Sequence, residues 1–209
     1  MILEVFGTLR HRHLLRFRDE FAHEFSDIAF QAIENTITTG FEQPYLAIAS
    51  LASYWAEHNP DLLGDLVKRL PPPPSSLLQN DSGKAAVAEV YVHAAELLEG
   101  SDRALARTLR CEVRDMMSAV QSPTPFFAHL KVRALIGLNE PEDALVILES
   151  KMKADDLWGL VWRACVLDAL GRSPEAEVSV ADAKALAHDK GIRLWMVEKS
   201  CRRLFRLDA

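Results

Sequence analysis

Apolar residues recur at intervals of three and four along most of the chain, and glycine or proline interrupts the pattern repeatedly. This punctuation constrains the fold more than any other feature. A 3.6-residue period puts such residues on one helical face, which must be buried against another helix. The first stretch runs from about Leu14 to Thr39, where Leu14, Phe17, Phe21, Phe25, Ile28 and Ala32 share a face. Gly40 suits its left-handed end. A second helix is expected from Pro44 to His58, stopped by Asn59-Pro60, and a short third from Asp61 to Leu70. Pairs follow over 83–99 and 103–120, 126–137 and 141–153, and 157–170 and 174–190, then a last helix over 192–207. Alanine and leucine, both good helix formers, supply 56 of the 209 residues. The expected fold class is all-α, with antiparallel helix hairpins stacked as an array.

Pro71-Pro72-Pro73-Pro74 is the strongest internal break, since four prolines favour extended polyproline II. No second proline-rich stretch supports a docking motif, so it reads as a stiff connector. The expected organisation is an N-terminal helical block over 1–70, a proline-rich connector over 71–83, helical repeats over 84–190 and a basic capping helix over 191–209.

The repeats carry a resemblance. Gly100, Gly137 and Gly171 recur at a spacing of roughly 35 residues, a period typical of stacked helix hairpins. Ala134-Leu135-Ile136-Gly137, followed by Pro141-Glu142-Asp143-Ala144, parallels Asp168-Ala169-Leu170-Gly171, followed by Pro174-Glu175-Ala176. These segments resemble tetratricopeptide repeats. In the best match, Leu160 to His188, Ala164 takes the small position, Leu167 its bulky partner, Gly171 the turn, and Ala176, Val180 and Ala183 the second helix. His188 stands where the family closes with proline, and the unit around Gly137 is two residues longer between glycine and alanine. The resemblance implies a right-handed array and a non-catalytic scaffold that holds a partner's peptide or helix in a concave groove. Bacterial members serve as secretion chaperones, assembly factors or adaptors. Candidate groove residues on first helices are Tyr91, Phe127, Lys131, Trp158 and Trp162.

Charge adds two candidate surfaces. The net charge is −6, yet residues 190–209 carry +4, leaving an acidic body that weighs against nucleic-acid binding. Arg103, Arg107, Arg110 and Arg114, spaced four, three and four, form a stripe within about 60° on one helix. Such a stripe could grip carboxylates of an acidic partner through bidentate contacts. In the last helix Leu194, Val197, Cys201, Leu204 and Phe205 share an apolar face opposite Lys199, Arg202, Arg203 and Arg206, with Trp195 toward the basic side. This reads as a capping helix whose outer face could dock an acidic or helical segment of a protein partner.

Signatures of chemistry are scarce. Glu20 and His23 have the spacing of a di-iron bundle, but no second such pair exists, because Glu89 and His93 are four apart. His11-Arg12-His13 reads as an exposed basic cluster. No HExxH, GxSxG, P-loop or GxGxxG occurs. Cys111, Cys165 and Cys201 are odd in number and widely spaced, which points to buried thiols and a cytoplasmic home rather than a disulfide framework or zinc module. No apolar run reaches the length of roughly 18 residues that marks a membrane span. The apolar-then-basic start is the reverse of a secretory signal. Abundant arginine relative to lysine, with high alanine, fits a bacterial background. The expectation is therefore no catalysis, metal or cofactor. The competing classes are a nucleic-acid-associated regulator using the basic stripes and a helical-bundle metalloenzyme.

Overall fold

The structure, a computed structural model, describes residues 60–121, 124–151, 153, 156–191 and 203–206, with 194 and positions 30, 31, 33, 34, 45, 48, 49, 52, 55 and 56. All regular structure among the described residues is helical, as the periodicity requires. The elements are α1 (Pro60–Arg69), α2 (Ser75–Leu78), α3 (Asp81–Leu98), α4 (Arg103–Ser118), α5 (Pro125–Leu138), α6 (Pro141–Lys151), α7 (Leu157–Ala169) and α8 (Ser173–Asp189). None of the described helices is long and apolar enough to cross a membrane. Two compact units divide the chain, Met1–Leu109 and Arg110–Ala209. The division falls inside α4, and the proline run lies within the first unit.

In the first unit the described positions between 30 and 56 are helical, and Tyr45, Ile48, Ala49, Ala52 and Trp55 place one buried face at helical spacing. Helix α3 is buried on every side from Ala85 to Ala95, which its run of alanine and valine permits. Its start is fixed by Asn80, whose Oδ1 accepts the Gly83 N–H at 2.6 Å. α1 and α2 pack against it. The prolines are part of this packing. Pro74 is extended at φ −64° and ψ 143°, its carbonyl accepts the Leu77 N–H at 2.9 Å, and the Tyr45 hydroxyl donates to the Pro71 carbonyl at 2.7 Å. The stretch expected as connector thus holds a short helix, α2, and is tied down at both ends.

In the second unit α5 with α6 and α7 with α8 form successive packed pairs, and α7 also packs against α5 and α6. Thr124 and Asp156 are the residues before α5 and α7, and the interval between them is the repeat that relates the two pairs. The turns after these helices keep that interval. Glu140 N–H bonds the Leu135 carbonyl at 2.9 Å, and Arg172 N–H bonds the Leu167 carbonyl at 2.8 Å. Each turn passes through a left-handed residue, Asn139 at φ 62° and Gly171 at φ 72°. The expected equivalence of Gly137 with Gly171 is therefore corrected: Gly137 lies inside α5, and Asn139 performs its supposed role. Asparagine tolerates left-handed backbone better than most side chains.

The second helices are buried along one seam each, Pro141, Ala144 and Leu148 in α6 and Ala176, Ser179, Ala183 and Ala187 in α8. Small residues in the α8 seam allow a close approach to α7. The shared core joins Val132, Leu135, Leu148, Val161, Trp162 and Phe205, with Leu194 and Leu204 packed against it. Apolar members of the C-terminal segment thus do close this core. Cys165 is disulfide-bonded, while Cys111 is free. This corrects the expectation that Cys165 is a free buried thiol, because spacing along the sequence does not fix which sulfurs meet.

Gly137 has a packing reason. A Cβ there would lie 2.1 Å from Arg110 Nε. Gly137→Ala should displace Arg110 and cost about 1–3 kcal/mol by leaving a buried polar group poorly satisfied. The cost should largely vanish in an Arg110→Ala background, as a double-mutant cycle of urea melts would read. Gly64→Ala, with open space at its Cβ, should instead stabilise by about 0.5–1 kcal/mol.

Candidate functional site

The arginine stripe divides on folding. Asp102 caps α4 through the Leu105 N–H at 3.0 Å, and Arg103 and Arg107 beyond it are exposed. Arg103 Nε stands 3.9 Å from a Glu99 carboxylate oxygen, a loose surface contact. Arg110 is buried instead. Its Nη1 donates to the Gly137 carbonyl at 3.0 Å, at the negative end of α5. Arg114 pairs with Asp115 at 3.0 Å and Glu140 at 3.2 Å. The stripe as one solvent-facing contact surface is thereby corrected. Equal helical spacing cannot reveal that a Cβ-free position elsewhere receives the third arginine.

The expected groove residues also separate. Tyr91 is buried, its ring edge-on to Tyr45 at 6.0 Å and 76°, with the two hydroxyls 3.4 Å apart. It packs the first unit and offers no surface to a partner. Phe127 and Lys131 are half-buried on α5. Phe127 leans on exposed Phe126, ring centroids 6.1 Å apart. Trp158 is half-buried and stacks on Trp162 at 6.3 Å and 26°. Trp162 belongs to the core, where the Arg133 guanidinium lies 5.5 Å from its ring centroid. The structural repeat makes Phe126 equivalent to Trp158 and Lys131 to Arg163. Sequence reading missed both correspondences because its register followed the glycines.

Of the basic tail, Arg203 and Arg206 are exposed. Trp195, Lys199 and Arg202 lie outside the described residues, as do the His11-Arg12-His13 cluster and the Glu20–His23 pair. Glu89 and His93 are both buried in α3. Among the described residues no group of three His, Cys, Asp or Glu side chains could hold a metal ion.

One ionisable pair stands beside the aromatic stack. Asp156 Oδ1 accepts the Trp158 N–H at 3.1 Å and so caps α7, while its Oδ2 lies 3.2 Å from His129 Nε2 on α5. Burial pushes the Asp156 carboxyl up. The His129 hydrogen bond and charge and the backbone N–H groups of Gly159 and Trp158 outweigh that, holding it below the ordinary aspartate value. One carboxylate therefore starts α7 and ties it to α5. His129 Nδ1 is buried with no hydrogen-bond partner among the described residues.

A carboxyl whose folded value is lowered contributes stability above its unfolded value of about 4, and that contribution fades as pH falls through the lower folded value. Asp156→Asn should therefore melt below the parent at neutral pH, with the gap closing below about pH 4. A constant gap across that window in thermal melts would show the charge to be idle. No protein-family model, curated protein or solved structure matches this chain.

Proposed function

We propose that this chain is a non-catalytic protein-interaction scaffold of tetratricopeptide-like character, an adaptor or assembly factor that binds a peptide or helix of a partner protein. The observation that carries this reading is the equivalence of helix starts, left-handed turns and first-helix buried positions in two successive helix pairs. Repeated hairpins that bury a continuous core leave extended surfaces of matched register, which is how such arrays bind chains. Within the second unit, the partly open first-helix side chains Phe127, Lys131 and Trp158 would hold the partner. Exposed Arg103, Arg107, Arg203 and Arg206 would favour acidic segments.

The test is capture of partners from the native host by the full chain, followed by titration of the recovered protein. Trp158→Ala with Lys131→Glu should weaken binding at least about ten-fold, or about 1.4 kcal/mol, with the thermal melt preserved. An affinity unmoved by that double change and by Arg203→Glu with Arg206→Glu would discard these surfaces. Recovery of nucleic acid that dissociates steeply as salt rises would replace the reading with a regulator of nucleic acid. A stoichiometric metal in the purified protein would favour the metalloenzyme class.

A further inference from the structure

The large hydrophobic side chains most exposed among the described residues are Val146 and Val178, at 64% and 61%. They lie in α6 and α8, the second helices of successive pairs, and are separated by the same interval as Thr124 and Asp156. Folding supplies no reason for them. Both point away from the buried seams, and a β-branched residue on an open helix face is slightly worse than alanine or glutamate.

Their surroundings are acidic on both helices, with Asp143 and Glu175 at equivalent places. About 100° per residue places Glu142, Asp143 and Glu149 within about 60° of Val146 on α6, and all three are exposed. The same geometry places Glu175 and Asp182 beside Val178 on α8, both exposed, with Asp189 further along the same face. Only Lys151 and Lys184 supply lysine or arginine charge on these two helices. Glu175 is held by the Arg172 guanidinium through two hydrogen bonds, at 2.7 and 2.6 Å, an exposed pair that a competing cation has to displace.

We propose that the α6 and α8 outer faces are a second interaction surface, built for a basic amphipathic segment of a protein partner. The aliphatic side of that segment covers Val146 and Val178, and its lysines or arginines meet the flanking carboxylates. Apolar contact supplies affinity, and the charges supply steering and orientation. Phosphate-bearing partners and anionic membranes are repelled by the same carboxylates. This surface does not depend on the first-helix surface proposed above, so the chain presents two chemically distinct sides to two partners.

The test uses the full chain and a synthetic amphipathic helix of alternating leucine and lysine blocks, titrated by fluorescence anisotropy at physiological salt. Val146→Ser with Val178→Ser should weaken binding about ten-fold at unchanged net charge. Asp143→Lys with Glu175→Lys should weaken it further, whereas Asp61→Lys with Asp65→Lys, an equal charge change on α1, should alter it less than about two-fold. Equal loss in the α1 variant would overturn the proposal in favour of simple net-charge attraction. Undiminished binding by the serine variant would overturn it, and so would absence of binding. Sedimentation showing self-association that the serine variant abolishes would overturn it in favour of a second copy as occupant. Loss of peptide binding with retained capture of the host partner would leave the first-helix reading intact, so the two proposals fail separately.

Discussion

Each first helix of the second unit must turn its chain back within a few residues so that the following helix can cover it. That reversal rests on a left-handed residue, Asn139 after α5 and Gly171 after α7, closing a hydrogen bond from Glu140 or Arg172 to a carbonyl five residues earlier. The bond satisfies a helix-end carbonyl and fixes the direction of departure. With the direction fixed, Ala144 and Ala176 arrive at equivalent buried places, 0% and 1% exposed. The helix starts, the turns and the buried run of the first helices then follow one common register, while the second-helix seams share the Ala144–Ala176 place.

Much of the helical framework was readable from the sequence for a simple reason. Burial of one face imposes the 3.6 period, and proline or a left-handed residue ends it. The helices expected over 126–137, 141–153 and 157–170 agree with α5, α6 and α7 to within two residues. What could not be read was register between helices. Gly137 and Gly171 look alike as letters, yet one leaves room for a guanidinium and the other relieves backbone strain. Choosing glycine as the marker lengthened the period by two residues and hid the match of Val146 with Val178. The same blindness applied to Arg110. Its spacing from Arg107 and Arg114 specifies a helical face, but whether that face meets water or another helix depends on long-range packing.

The two kinds of helix are under different constraints. α7 is buried at Leu157, Gly159, Val161 and Trp162 and then continuously from Ala164 to Leu167. Nearly every substitution there alters a packed neighbour. α8 commits one small-residue seam to the core and leaves the rest of its circumference to solvent. Side chains that packing does not dictate can be shaped by binding at little cost to stability. Trp158 and Asp156 sit where these pressures meet, since the carboxylate that caps α7 also positions the edge of the aromatic stack. A change at Asp156 would therefore act on the first-helix surface and on stability together. A change at Val146 or Val178 alters only what the surface presents, because no core position depends on either side chain. Binding and folding are thus separable on the second helices and coupled at the start of α7.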